Sequence, residues 1–521
     1  MFVLVIDTTI MNVSITALID DLNCEVTEVQ AAITLYALVM ATMMITGGKI
    51  GDIWGRKVAF RRGLVVYGTG SLITALSPTI GVLYFGWSFL EGLGAALVLP
   101  ALQTLVRSNF EGEDRVLVYG LLGGVSASAI ALGPIIGGWM TTEYTWRLAF
   151  ASEVIIVLIV LLLSKSIIDA VVKPEEKPKL DLVGTALSAF GLGFIVLGIL
   201  LAGQYGWLWA RKPFVIGNFE IAPFGLSIVP IFICIGFIIL VLFALWERRV
   251  IAKGGSPLVH ISMLKDKYLS SGLITQMVQT TLMGGILFTM ALFMQIVLEL
   301  NAMQTGFLFL PLSIPLLISA LVGSRLGFRI APKIIIQVGL GLSIVGLMVL
   351  IGTLDIGIVG IELSLGLAVV GIGLGLIASQ IMNLVLSMVA PERTSETAAL
   401  MITSQNLGMS LGTALLGSIL IAGLLFSATN LVEESTVIAE GLKPDLIMAL
   451  EQNVRFISDT ELENILKDAP QDTADEILKI NEIARIDGMK LSLFAAMAIG
   501  VLGLIISFLL PKKKLVRDAP K

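Results

Sequence analysis

Runs of about twenty consecutive apolar residues recur along the whole chain, and a helix of that length spans the ~30 Å hydrocarbon core of a bilayer. They fall near 2–19, 29–48, 61–78, 80–106, 116–140, 148–168, 181–203, 224–246, 269–297, 303–324, 334–353, 361–389, 397–426 and 489–510, separated by charged or Pro/Gly-marked breaks. The expected fold class is an all-α membrane protein of fourteen transmembrane helices. Composition agrees: 56% of the 521 residues are hydrophobic and 14% charged, more apolar surface than water-soluble cores of ordinary size can hide. The first run is barely long enough to span and no basic leader precedes it, so the chain is expected to begin inside its first helix.

Basic residues cluster in alternate connections: Arg56, Lys57, Arg61 and Arg62; Arg107 and Arg115; Lys173, Lys177 and Lys179; Arg248, Arg249, Lys253, Lys265 and Lys267; Arg325, Arg329 and Lys333; Lys512 to Lys514. Positive charge stays on the cytoplasmic side, which places those loops and both termini there in a multi-pass cell-membrane protein. The acidic segment 427–487 then lies outside, as a solvated flap with short amphipathic helices expected at 460–467 and 473–485. Two cysteines, Cys24 and Cys234, and the single His260 supply neither a disulfide framework nor a metal site. A Walker sequence and a nucleophile triad are both missing, so neither an enzyme nor a cofactor is expected, and no nucleic-acid partner.

An internal repeat follows from spacing. Gly92-Leu93-Gly94, Leu105-Val106 and Gly133 recur 279 positions on as Gly371-Ile372-Gly373, Leu384-Val385 and Gly412. Two six-helix halves in the same orientation are implied, with two helices inserted between them (6+2+6). The expected division is 1–168, an insertion 169–268, and 269–521, the last including the loop 427–487 before the final helix. Parallel repeats point to a transporter whose site lies between halves near the bilayer midplane.

Three motifs carry more specific chemistry. Gly48-Lys49-Ile50-Gly51-Asp52-Ile53-Trp54-Gly55-Arg56-Lys57 combines glycines for a tight turn with an acid and bases that can pair, part and re-pair as two bundles rock. Gly133-Pro134 with Gly137-Gly138 makes a flat face for close helix approach, with a proline that lets the helix bend. Asp7-Thr8-Thr9-Ile10-Met11-Asn12-Val13-Ser14 sets a carboxylate inside the first apolar run, where an ionisable group is by default a functional-site hypothesis. Asp7, Met11 and Ser14 share one helical face, so Asp7 is expected to point into a cavity.

These motifs closely resemble the signatures of the major facilitator superfamily. The first matches its loop pattern G-x-x-x-D-x-x-G-R-K, the second resembles the antiporter motif of its exporters, and the third resembles the D-x-T-x-x-N-V-A signature of its fourteen-span drug/proton antiporters, with Ser14 for the alanine and Thr16 at a usual proline position. Span four departs from the family pattern R-x-x-Q-G-x-G-A-A, with Ser88 for arginine and Glu91 for glutamine. The resemblance implies a monomeric proton-coupled multidrug efflux transporter, driven by the proton gradient, that exchanges a small amphipathic or cationic substrate for protons across the lipid bilayer.

Asp7 and Glu91 are the expected proton-coupling residues, since an ionised acid is costly in an apolar helix and proton uptake relieves that cost. Met11, Ser14, Ser88, Gln276, Gln279, Gln380, Asn383 and Asn406 are the substrate-cavity candidates; polar groups in spans also simply bind helices together. Glu153 is expected to reach the interface or to pair with Arg147. The alternatives are transport of one metabolite, sugar or peptide, or a non-transporting membrane sensor on the same fold.

Overall fold

The computed structural model describes residues 1–110, 112–167, 180–211, 213–216, 219–221, 225–327, 329–354, 361–389, 394–452, 462–463, 465–467 and 470–512. Its helices are α1 (Phe2–Val13), α2 (Ile15–Leu22), α3 (Val26–Trp54), α4 (Arg56–Ala75), α5 (Ile80–Leu83), α6 (Gly92–Asn109), α7 (Gly112–Glu143), α8 (Trp146–Leu163) and α9 (Leu182–Tyr205). There follow α10 (Ile228–Ala252), α11 (Lys267–Leu292), α12 (Ala302–Leu308), α13 (Leu310–Leu326), α14 (Pro332–Thr353), α15 (Ile361–Leu386), α16 (Thr394–Glu434), α17 (Lys443–Gln452) and α18 (Gln471–Ser507). Two π-helical segments, Tyr84–Glu91 and Phe293–Val297, join α5 to α6 and extend α11.

Among the described residues, helical backbone covers most of each of the fourteen apolar runs. Among the described residues ten helices are long and apolar enough to cross a membrane, or up to twelve if the pairs α1–α2, bent by 70°, and α12–α13, bent by 40°, each form one span. Helix starts follow local chemistry. Glu25 and Glu28 close a capping box on α3, Asn301 and Gln304 another on α12, and Asp266 accepts from two backbone N–H groups of α11.

The 279-residue offset also relates helices to one another. Shifted by 279 positions, α3 falls on α12–α13, α4 on α14, the segment 80–109 on α15, and α7 on α16. Helix α3 packs on α16 while α7 packs on α12 and α13, so one helix-pair contact is made twice with the halves exchanged, the hallmark of a two-fold relation. Near that axis the backbone N–H and the hydroxyl of Thr16 both donate to Gln295 Oε1 at 3.1 Å, and these residues are themselves 279 apart. Gln295 returns a bond to the Asn12 carbonyl at 2.9 Å. Helix α11 lies at the centre with nearly every residue buried. The pair α9–α10 docks through α9 on the α3–α16 seam, where Ser418 donates to the Ile199 carbonyl at 2.7 Å, and α10 exposes Phe237, Ile238 and Val241 at the periphery.

Three expectations are corrected. Helix α3 continues through Gly48 and Gly51 to Trp54, so the turn of the first motif is Gly55 alone, at φ 94, a conformation that costs glycine nothing. The region 473–485 is no separate helix but the first half of α18, which runs on without a break. A short antiparallel hairpin, Phe214–Ile216 with Phe219–Ile221, interrupts the all-α pattern between α9 and α10. The helix expected at 460–467, the boundary at 168–169 and Lys513 and Lys514 lie wholly or partly outside the described residues.

Small residues make the seam between halves possible. A Cβ on Gly138 would strike the Ala302 carbonyl, and one on Gly306 would strike the Pro134 carbonyl. Gly306→Leu is therefore expected to destabilise the protein by about 1–3 kcal/mol through overpacking, measured as a lower melting temperature in detergent. Gly193→Leu, where nothing lies within 4 Å, should leave that temperature unchanged.

Candidate functional site

Asp7 on α1, Glu91 at the end of the first π-helical segment and Glu153 on α8 converge inside the first half, one carboxylate oxygen from each lying within 4.8 Å of the others. All are buried, at 0%, 0% and 2% exposure. Among the described residues no other trio of His, Cys, Asp or Glu side chains comes together this closely.

The surroundings are an aromatic and hydroxyl shell. Trp87 Nε1–H reaches both Asp7 oxygens, at 2.8 and 2.9 Å. The Tyr36 ring stacks on that indole with centroids 4.8 Å apart and planes within 4°. Tyr67 donates its hydroxyl to Glu153 Oε2 at 3.1 Å, and Ser71 lies 3.2 Å from the same oxygen. Thr74 Oγ1 lies 3.2 Å from Glu91 Oε1. The π-helical winding of Tyr84–Glu91, where each turn gains a residue, buries Trp87, Ser88 and Glu91 and turns Phe85 and Phe89 outward. Helix α4 can come close enough because Gly70 faces Glu91: a Cβ there would stand 2.6 Å from Glu91 Cγ and 2.6 Å from the Gly86 carbonyl.

Glu153 neither reaches the interface nor pairs with Arg147. The arginine is committed elsewhere, bonded to Asp21 and donating to the Ser77 carbonyl at 2.7 Å, so the acid is left to the cluster. Sequence reasoning missed this because α8 is apolar on most of its surface, and only its packing on α4 shows which side Glu153 takes. A signal existed in the acid itself, since Glu153 is the sole charge in the apolar run that follows Arg147 up to Leu163. Asp7 was expected to face a cavity; in this structure it is sealed against Trp87.

The other candidates are dispersed. Met11 is fully buried, the Ser14 hydroxyl bonds that of Thr141 at 2.7 Å, and Ser88 donates to the Ala32 carbonyl at 2.9 Å. On α11, Gln276 donates to Gln279 at 3.1 Å. Gln380 donates to the Gly323 carbonyl at 2.6 Å, Asn406 to the Ile402 carbonyl at 3.0 Å, and Asn383 is exposed. In the first motif Lys57 donates to the carbonyls of Lys165 at 2.9 Å and Ile167 at 2.6 Å, in the short segment that follows α8. Arg56 heads α4, and the Asp52 side chain lies outside the described residues. In the second motif Gly133 packs on Thr9, Gly137 on Ile10 and Gly138 on Ala302, so the face around Pro134 joins the Asp7 helix to the opposite half. His260 bonds Glu396 through Nδ1 at 3.0 Å.

Long apolar helices, with three acids buried inside one half of the bundle, have the architecture of a polytopic membrane transporter. The chain belongs to the Major Facilitator Superfamily, whose family model matches residues 1–413. Among curated relatives it is 28% identical to a "Probable actinorhodin transporter" of Streptomyces coelicolor, over 82% of this chain and 72% of that protein. It is 29% identical to the "Puromycin resistance protein pur8" of Streptomyces alboniger, over 80% and 78%. It is 25% identical to the "Multidrug resistance protein Stp" of Mycobacterium tuberculosis, over 81% and 74%. Among solved structures, a bacterial homolog of the human lysosomal transporter Spinster, described as inward-facing and occupied, superposes with a TM-score of 0.57. That alignment covers 98% of this chain and 94% of the other at 12% identity, a likeness of fold alone.

Trp87→Phe keeps an aromatic ring, smaller than the indole, and removes the N–H that holds Asp7. Loss of a buried hydrogen bond to a carboxyl group is expected to cost about 1–3 kcal/mol, read as a lower melting temperature in detergent; a variant as stable as the parent would show that the bond contributes nothing.

Proposed function

We propose that the protein is a proton-coupled exporter of small amphipathic or cationic molecules, working by alternating access between its two halves. The observation that carries this reading is the acid trio, buried in one half and served by an indole and hydroxyl groups. Sealed carboxyls that open to water only when helices part can pick up protons on one side and release them on the other. The curated relatives, named for antibiotic transport and resistance, favour efflux of drug-like cargo. The glycine face around Pro134, which touches both Thr9 on the Asp7 helix and Ala302 of the opposite half, offers a route from acid chemistry to rocking.

In this reading the chain makes fourteen crossings arranged 6+2+6 in the cell membrane, with the basic connections and both termini in the cytoplasm. The halves are 1–168 and 269–521, and 169–268 is the inserted pair. The bend at Gly55, flanked by Asp52, Arg56 and Lys57, serves as the conformational switch. Substrate passes between the halves, where Gln276 and Gln279 on the central helix and Asn406 on α16 are the polar contacts to test first. Substrate and proton need only differ in their affinity for the two facing states.

Everted vesicles carrying the protein and energised with an acid interior should show partial collapse of the pH gradient on adding ethidium. Asp7→Asn should lower that response at least about tenfold, the loss of roughly 1.4 kcal/mol of coupling. A gradient indifferent to ethidium, dyes and antibiotics but sensitive to one metabolite would overturn the multidrug reading, and indifference to every solute would favour a sensor.

A further inference from the structure

We propose that Asp7, Glu91 and Glu153 act as one proton store that exchanges two protons per cycle, with Glu153 a proton carrier in its own right. This rests on the exchanger reading above and adds its stoichiometry.

The argument is a count of donors. Thr74 has one hydroxyl hydrogen, and the Gly70 carbonyl of its own helix lies 2.8 Å from its Oγ1, nearer than Glu91 Oε1 at 3.2 Å. The hydrogen goes to Gly70, which leaves Thr74 Oγ1 presenting a lone pair to Glu91, and only a protonated Glu91 can complete that bond. Ser71 is similarly divided between the Tyr67 carbonyl and Glu153 Oε2, both at 3.2 Å. Two further oxygens, Glu91 Oε2 and Glu153 Oε1, are buried with no hydrogen-bond partner. Independently of the acids, the Tyr36 hydroxyl, on a residue 1% exposed, is directed at the Asp7 carboxyl without closing a bond.

Acceptors therefore outnumber donors, and added protons are the hydrogens the cluster lacks. Like charges this close, in packing that excludes water, cannot all be ionised. Trp87 donates to Asp7 and Tyr67 to Glu153, and at this separation only one of those two acids stays ionised while Glu91 holds its own proton, so the sealed cluster carries two protons. The ionisable groups facing it from the elements packed around it are Tyr36 on α3 and Tyr67 on α4, while Arg147 on α8 is paired with Asp21. Donor chemistry also fits protons better than a metal ion, because the Trp87 N–H already engages both Asp7 oxygens that would have to ligate the cation.

The balance is simple. Two carboxyl O–H bonds break as protons pass to water on the side where cargo binds, and two form on the other side. Exporting one monovalent cation against two protons moves one net positive charge inward per cycle, whereas exchange against a single proton moves none.

The full chain in proteoliposomes, with ethidium as cargo, tests this. A proton-to-ethidium ratio of two is expected from reversal measurements, together with transport driven by membrane potential at equal pH. Glu153→Gln should reduce the ratio to one and abolish voltage dependence while a pH gradient still drives slower exchange; Glu153→Asp should restore both. Proton release from the detergent-solubilised parent on ethidium binding needs no variant and should approach two per ethidium. A ratio of one in the parent, an unchanged ratio in Glu153→Gln, or exchange driven by a sodium gradient at fixed pH overturns the two-proton store while leaving a coupled transporter. Failure of the parent to move ethidium in response to any pH gradient overturns the exchanger reading and the store with it.

Discussion

Helices in lipid gain little by burying apolar surface against one another, so close backbone approach has to hold this bundle together. The chain meets that requirement with small residues at its crossings. Gly138 admits the Ala302 carbonyl, Gly306 admits that of Pro134, and Gly412 that of Thr281. Because α3 meets α16 as α12–α13 meet α7, the seam is built twice from equivalent parts. The alternating access proposed above would use such a seam by closing it at one end of the bundle or the other.

The same close approach creates the chemistry. Gly70 lets α4 lie against the π-helical segment, and this contact brings Thr74 to Glu91 and Tyr67 and Ser71 to Glu153. Trp87, one π-helical turn before Glu91, closes the third side by binding Asp7, and Tyr36 backs its ring. The acids belong to the first half alone: Asp7 and Glu91 have as their repeat equivalents Ile286 and Val370, both fully buried and apolar. The halves therefore share a scaffold, and in the proposed cycle protonation would bias one bundle while the other supplies the surface against which it moves.

From the sequence alone, apolar run length determined the helical segments, since a bilayer fixes how many consecutive residues a span must have. The repeat offset was equally legible, because it is a one-dimensional property, and so were Asp7 and Glu91, because a charge within an apolar run stands out whatever surrounds it. The family resemblance was carried by contiguous motifs, which sequence displays directly. Tertiary structure decided the rest. Glu153 joined the acids because the packing of α8 on α4 sets which way its side chain points, and nearly every face of α8 is apolar, so no periodicity could reveal it. Trp87 as the partner of Asp7, the meeting of Thr16 with Gln295, and Gly55 as the sole turn of its motif all depend on how helices distant in sequence cross. That geometry is a sum of many weak contacts between side chains, and no single stretch of chain contains it.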